Sequence, residues 1–586
     1  MTSARGITVI GVNPGHNATA ALMTDGHLVA LQSYERETRL KNSVCWPVDL
    51  VNRYVEQAGG YDALRGIGVT NNNAYHMMVI AQGAGQPQVM GGELGEGRPY
   101  SREAGRAYDD QALKTYTDFD LPQNRAQLPL IFQNQFGIPA DKIRFFDHQM
   151  THAYSTLPFM PEDKRNERWL VFTLDGMGDG KSGTVSLYTA GSMIVLEEIP
   201  DTYSLGLIYA CVTTLLGFKA YEHEYKIMGL APYAKGAYWK PLVAKFEELL
   251  RFDPLTGAFS GQALGMMERE AALAEIIAFQ RFDNVAAALQ AYVEQQVENL
   301  ISAWVARTGV SHIACAGGFF MNVKANQRLT RLPGVEYFAV VPSSGDESAA
   351  IGSAVLAGLE VDPSLYHPPV KGLYLGRSYD RQEIEDAIRA TGAANRYVVS
   401  QPDDMAEAIA DILAAGGVVA RCSGAMEFGA RALGNRSILA DPSRLDTVTF
   451  INQAIKSRDF WMPFAPSVLQ ERASDYFDMS DKASPDYMMI SYNATPLARE
   501  KLIAATHQGD RTLRPQIVRA DWNPEYHALI SAFERRTGIG AVLNTSFNIH
   551  GEPIVMSPAD AISTMDRSGL RHLVLGHLLL QKRDEA

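Results

Sequence analysis

One pattern occurs twice in this chain and limits what it can fold into. Residues 7–33 run ITVIGV, NPGH, NATAALM, a turn at Asp25-Gly26, and HLVALQS. Residues 169–199 run WLVFTL, DGMGDGKSG, TVSLYT, AGS and MIVLEEI. Both are short apolar runs rich in β-branched residues, separated by Gly and Asp turns, which is how meandering strands read. A repeated supersecondary unit predicts two related lobes. The competing explanation is that any two β-meanders look this much alike.

At about 150 residues per domain, 586 residues make several domains or two large ones. Residues 283–307 carry apolar side chains at three- and four-residue spacing and predict an amphipathic helix. SHIACAGG then reads as a strand with a Gly-rich turn, and FFMNVKANQRLTRL as a helix. Pro and Gly cluster without a helical period at 360–376, which places the main domain boundary there. The expected domains are therefore 1–365, with lobes of about 1–165 and 166–365, and a second α/β region over 366–586. That region carries a helix near 404–415 and the strand VVAR at 418–421. Residues 71–125 are polar, Gly-rich and aperiodic, and read as a long loop that serves as a substrate-facing lid or an interface.

The chain has 53 Lys+Arg against 66 Asp+Glu, a net charge of -13, which argues against a surface built to neutralise nucleic-acid phosphates. It leaves room for a local basic pocket. Cys45, Cys211, Cys315 and Cys422 are far apart, so neither a disulfide framework nor a zinc-thiolate site is expected. That fits a reducing cytosol. No secretory signal is visible, and no apolar run approaches the ~18 residues of a membrane span. The expectation is a soluble, cytoplasmic protein without a membrane partner.

Five constellations carry chemistry. His148 and His152, four apart, share a face if they lie on a helix and can bind one metal. Solvent-facing or core histidines are the commoner explanation, and Gln149 disfavours a zinc protease. Asp175 ends an apolar strand before a Gly-rich loop, which suits a phosphate or metal site or an ordinary tight turn. Gly317, Gly318 and Asn322 form a strand-turn-helix junction of the kind that binds anions. Asp346, in SSGDES, caps a helix or joins the histidines as an oxygen ligand. The fifth is a set of Arg, Lys, Asn and Ser in Gly- and Pro-bounded loops at 424–442, 456–466, 507–516 and 543–553. In an acidic chain that cluster points to an anion site.

Here a resemblance enters. FGARALGNRSILADP, KSRDFWMPFAP, RPQ and LNTSFN with GEPI are similar to the O-carbamoyltransferase family of antibiotic and secondary-metabolite biosynthesis. GHNATAAL, HQMTHA, LDGMGD, YKIMGLAPY and SGDESAA match that family's first domain. The resemblance implies an α/β fold: a duplicated, two-lobed ASKHA (actin/hsp70-like) domain followed by a YrdC-like α/β domain. The latter's KxR and SxN signatures read Lys456/Arg458 and Ser546/Asn548.

The implied activity is ATP-dependent. Carbamoyl phosphate and ATP, with Mg(II), give carbamoyl adenylate. A hydroxyl of a small natural-product acceptor, of the glycoside kind, then takes the carbamoyl group. By the same resemblance His148, His152, Asp175 and Asp346 hold Fe(II) or a similar divalent metal. His16 stands at the catalytic histidine position, as base or as a group orienting the carbamoyl oxygen. Lys456, Arg458, Arg431 and Arg436 would neutralise phosphate charge. Asn544, Ser546, Asn548, His507, Arg514, Gly317, Gly318 and Asn322 would bind nucleotide or carbamoyl phosphate. Ala430 departs from the Pro expected in much of the family.

The rival readings each leave something unexplained. A threonylcarbamoyl-type tRNA enzyme is disfavoured by the charge of -13 and the absence of Lys/Arg runs. A hydrogenase-maturation enzyme would carry paired CxxC modules. A non-catalytic ASKHA nucleotide-binding protein would leave the basic C-terminal loops without a purpose. No nucleic-acid partner is expected, and a homodimer is the assembly left open.

Overall fold

The computed structural model describes residues 6–89, 119–456, 459–479 and 482–583. The first meander is three antiparallel strands, β1 (Thr8–Asn13), β2 (Thr19–Thr24) and β3 (His27–Ser33). Two strands then join β1 and each other in parallel, β4 (Gly66–Thr70) and β5 (Ile143–Phe146), giving the order β3-β2-β1-β4-β5. The second meander is β6 (Trp169–Gly178), β7 (Lys181–Thr189) and β8 (Ser192–Pro200). It is completed in the same way by β9 (His312–Ala316) and β10 (Tyr337–Val340), in the order β8-β7-β6-β9-β10. The sequence echo is therefore a duplication of a whole five-stranded topology. The antiparallel half comes from local turns. The parallel half needs long crossovers, which no local pattern announces.

Four helices position the site: α1 (His148–Ser155), α2 (Glu224–Leu230), α3 (Phe282–Thr308) and α4 (Ala349–Val361). The helix expected over 283–307 is α3, a buried strut through the second lobe. Although α4 follows the second sheet in sequence, it packs on β1, β4 and α1 of the first lobe. Glycine makes that approach possible. A Cβ at Gly11 would lie 2.0 Å from the Ala350 carbonyl oxygen, and one at Gly352 would lie 1.7 Å from that of Thr151.

The third unit is an eight-stranded mixed sheet. Its strands are β11 (Tyr397–Ser400), β12 (Val419–Cys422), β13 (Arg436–Ala440), β14 (Ala465–Leu469), β15 (Gln516–Val518), β16 (Ala541–Ser546), β17 (His572–Leu575) and β18 (Leu578–Lys582). Their order is β11-β18-β17-β12-β13-β16-β14-β15. This unit is stitched to both lobes through backbone bonds. Leu31 N donates to Leu375 O (3.1 Å) and Phe338 N to Lys482 O (2.6 Å).

One sequence expectation is corrected. Segment 71–125 is not a single loop: Ala74–Gln82 is a helix whose Asn73 cap accepts from His76 N at 3.0 Å. A short helix also covers Pro122–Arg125. The Gly-rich centre of the expected lid, 90–118, lies outside the described residues.

The α4 contact yields a stability prediction. Gly11→Ala should cost about 1–3 kcal/mol or more, measured by urea unfolding, because the obstructing atoms are backbone. Unchanged stability would contradict the close helix–sheet approach.

Candidate functional site

The histidine pair lies on α1 as the spacing requires. Asp147 caps this helix, accepting from Met150 N at 3.1 Å. One turn apart, the two imidazoles face the same way and are almost fully buried. Their Nε2 atoms are 3.1 Å apart. The carboxylates arrive from other elements. Asp175 near the end of β6 puts Oδ2 at 3.0 Å from His148 Nε2 and 3.7 Å from His152 Nε2. Asp346, in the turn before α4, puts Oδ1 at 3.7 and 3.6 Å from the same two atoms. All four ligand atoms fall within 4.8 Å of one another.

Burial opposes charge on the imidazoles, but the neighbouring carboxylates win. Desolvation lowers His148, while Asp346 and Asp175 push it up to about 9. His152 moves up by the same balance. Against the opposing pull of its own burial, the two imidazoles hold Asp175 well below the usual carboxylate range. Two rings whose Nε2 atoms nearly touch cannot each carry a proton there without repulsion. A divalent cation relieves that conflict, and two nitrogens with two carboxylate oxygens suit a borderline transition metal. The residues therefore fit such an ion.

A supporting shell fixes their orientation. His148 Nδ1 is 2.8 Å from Asn71 Oδ1, which leaves Nε2 for the ion. Asp175 Oδ1 accepts from Gly318 N at 3.0 Å. Asp179 accepts from the backbone N–H groups of His148, Asn72 and Asn73 at 2.8, 3.2 and 3.2 Å. Sequence reasoning missed Asn71. The one local signal was an Asn, a type that tolerates the left-handed φ of 73° found there.

Asp175 and Asp346 also line a cavity of about 690 Å³ that reaches the third unit. His16 lines it from the loop after β1, with its carbonyl held by Asn13 Nδ2 at 2.8 Å and its buried Nε2 without a hydrogen-bond partner among the described residues. From the other side come Arg431, Lys456, Arg514, Asn544, Ser546 and Asn548. Lys456 ends a π-helical turn, Asn452–Lys456, a geometry frequent at functional sites. Its Nζ donates to the carbonyl and hydroxyl oxygens of Ser546 and to Asn548 Oδ1. Ser546 Oγ in turn donates to Asn548 Oδ1 at 2.7 Å. The two signatures read from sequence thus meet in space. Arg458 lies outside the described residues.

The loop carrying Arg431 is shaped by Glu427, whose Oε1 accepts from the N–H groups of Leu433, Asn435 and Arg436 at 2.7, 3.2 and 3.0 Å. It docks on the turn that carries Asp346, with Ala430 N donating to Ser343 Oγ at 2.9 Å. A proline at 430 has no N–H to give.

Other expected site residues take different work. Arg436 is almost fully buried away from the cavity, and its guanidinium donates to the carbonyls of Met556 (3.0 Å), Gly424 (3.2 Å) and Asn435 (3.0 Å). This corrects the phosphate-binding expectation for Arg436: its donors tie the loop ends together. His507 lines the cavity but is a latch, donating from Nε2 to Gly229 O (2.8 Å) and accepting Gly509 N at Nδ1 (3.1 Å). Asn322 caps the following helix through Ala325 N (3.1 Å) and exchanges bonds with Gln290 at 2.9 and 3.0 Å. Gly317, at φ 98°, is required for close approach, since a Cβ would lie 2.2 Å from Leu174 O. Asn544 Nδ2 is spent on Ala432 O (2.9 Å) and Ser467 Oγ (2.9 Å), while its Oδ1 has no hydrogen-bond partner among the described residues. Lys226, unassigned from sequence, lines the cavity and pairs with Asp459 at 3.1 Å.

Comparison with known proteins shows which family the chain belongs to. Residues 135–355 match the family model described as carbamoyltransferase N-terminus, and residues 410–582 match carbamoyltransferase C-terminus. The nodulation protein NolNO of Sinorhizobium fredii is 30% identical over 97% of this chain and 79% of its own length. An uncharacterised Synechocystis protein, sll1178, is 30% identical over 97% of this chain and 95% of its own. The 3'-hydroxymethylcephem-O-carbamoyltransferase of Amycolatopsis lactamdurans is 31% identical over 47% of this chain and 49% of its own. The chain belongs to the carbamoyltransferase family and is an enzyme of that type. No helix among the described residues is long and apolar enough to cross a membrane.

The ligand cluster predicts a pH-dependent metal site. In the ion-free chain, protonated His148 adds stability below its unfolded value of about 6.5, and that stability is lost as pH rises through about 9. A divalent ion must displace the same proton, so its affinity should rise with pH towards about 9. Equilibrium dialysis against Fe(II), Mn(II) and Zn(II) should show this, with tight binding abolished in Asp346→Ala. Binding that is indifferent to pH, or to Asp346, would contradict the assignment.

Proposed function

We propose that this enzyme makes carbamoyl adenylate in its third unit and transfers the carbamoyl group, in its first two lobes, to a hydroxyl of a small molecule. The observation that carries the reading is the single cavity shared by His16, Asp175 and Asp346 on one side and Arg431, Lys456, Ser546 and Asn548 on the other. In the first half-reaction, water takes the phosphoryl group of carbamoyl phosphate, leaving carbamate and phosphate. The carbamate oxygen attacks the α-phosphorus of ATP, held with Mg(II), and pyrophosphate leaves. Lys456, Arg431 and Arg514 neutralise charge as it develops on phosphate oxygens.

In the second half-reaction the acceptor oxygen attacks the carbamoyl carbon, the C–O bond to AMP breaks, and the alcohol proton leaves. The unpartnered Nε2 of His16 supports a role in taking that proton. A divalent ion on His148, His152, Asp175 and Asp346, expected to be Fe(II), supplies Lewis-acid polarisation of phosphate or carbonyl oxygen. A mixed anhydride of this kind hydrolyses in bulk water, so an enclosed route between the two ends protects it. The relatives support this reading, since cephem O-carbamoyltransferases are among those to which the chain is similar.

The test separates the half-reactions. Lys456→Ala should reduce carbamoyl phosphate-dependent pyrophosphate release by about 10²–10³-fold. His16→Asn should leave that release in place and abolish formation of carbamoylated product, followed by mass spectrometry across a panel of hydroxylated metabolites. Equal loss of both half-reactions in His16→Asn would contradict the division of labour.

A further inference from the structure

The peptide unit just before Arg431 is held from outside the third unit. Its carbonyl, at Gly429, accepts from Arg36 Nη2 at 2.9 Å, and its N–H, at Ala430, donates to Ser343 Oγ at 2.9 Å. Arg36 follows β3 in the first lobe, and Ser343 lies in the turn after β10 in the second. Glu427 fixes the other side of the loop, through Leu433, Asn435 and Arg436. Gly429 allows the close approach: its φ is 99°, and a Cβ there would lie 2.6 Å from Ser343 Cβ. Ala430 lacks the ring with which a proline would fix φ, so the two external bonds supply the restraint.

Ser343 is itself set by Glu347. A hydroxyl has one proton to give. Ser343 Oγ gives it to Glu347 Oε1, which leaves the lone pairs of that oxygen for Ala430 N–H. Ser343 keeps this aim at a left-handed φ of 54°, a conformation that non-glycine residues seldom adopt and that gathers at functional sites. The other oxygen of the same carboxylate, Oε2, accepts from Asn17 Nδ2 at 3.3 Å, and Asn17 is the neighbour of His16. The carboxylate folds back over its own turn, where a Cβ on Gly345 would lie 2.6 Å from Oε2. Glu347 is almost fully buried and adjoins Asp346 in the chain. The dipole of α4 accounts for an acid in this turn. It does not account for two oxygens that take different partners, one of them 330 positions away.

We infer that Glu347 is a positioning residue for both ends of the cavity. One carboxylate oxygen sets the Arg431 loop through Ser343, and the other sets the His16 loop through Asn17. Glu347 acts through these two loops and not on the reacting atoms. This rests on the two half-reactions proposed above and adds the device that keeps their residues in register.

The test uses the metal-loaded full chain, with carbamoyl phosphate and ATP as probes. Ser343→Ala should lower kcat for pyrophosphate release about tenfold or more, with the KM for ATP little changed, because Arg431 is misplaced as charge develops. Amide hydrogen exchange should rise in peptides covering 427–432 and stay at the parent level in 13–18. Glu347→Ala should lower the same kcat and raise exchange in both peptides. In Glu347→Gln the new carbonyl can still take the Ser343 proton. Its amide can donate to the buried Asn17 Oδ1, which has no hydrogen-bond partner among the described residues, once the Asn17 amide turns over. That variant should keep kcat within about threefold of the parent. An unchanged kcat in Ser343→Ala, faster exchange in only one peptide of Glu347→Ala, or Glu347→Gln no better than Glu347→Ala would overturn the inference. So would exchange that rises throughout the chain, which marks a general loosening. If the unmodified chain releases no pyrophosphate, the reaction reading fails, and the exchange results alone still decide whether Glu347 holds the two loops.

Discussion

Two imidazoles and two carboxylates share one buried point, and much of the fold is arranged around holding them there. Removing a charge from water costs several kcal/mol per ion, so no single element would carry such a group inward alone. The cluster is tolerable because α1, the end of β6 and the turn before α4 arrive together, each bringing charges that offset the others. That meeting depends in turn on α4 lying against the first sheet, which Gly11 and Gly352 permit by having no side chain. Glycines at a helix–sheet contact and ligands at a buried cluster are thus parts of one constraint.

The same constraint explains how the third unit relates to the lobes. It docks on the elements that carry the cluster and the cavity wall. Ala430 bonds to the turn preceding Asp346, while Trp461 and His507 donate to carbonyls of α2 at Lys226 and Gly229, at 3.1 and 2.8 Å. Helix α2 is therefore held to the third unit at two points. It carries Lys226 towards Asp459, in the segment that follows Lys456. The net charge of -13 gives no sign of this arrangement, because it sums over the whole chain and not over the side chains that line one cavity.

Much was legible in the chain itself. The meanders, α3, the strand at 419–422 and the helix at 405–414 follow from local periodicity and turn chemistry. The four cluster residues and the Lys456, Ser546 and Asn548 group were visible as motifs, because each stands in a distinctive short context. The roles of Arg436, His507 and Asn322 were not. An arginine in a Gly-bounded loop looks the same whether its donors meet a phosphate or backbone carbonyls. Only the fold shows that Arg436 is occupied with carbonyls. Asn71 and Lys226 were missed for a related reason: their partners, His148 and Asp459, are distant in sequence.

The sequence by itself determined the class of fold, the repeated lobe and the inventory of chemically able side chains. These depend on strand alternation, turn residues and side-chain type, all of which act over a few residues. The tertiary structure alone decided which of those side chains face one another. Parallel pairing, the return of α4 to the first sheet and the docking of the third unit join residues far apart in sequence, such as Ser343 with Ala430, 87 positions away, and Asn17 with Glu347, 330 positions away. Such contacts arise from burial and shape across the whole chain, and so does the common cavity in which His16 and Lys456 meet.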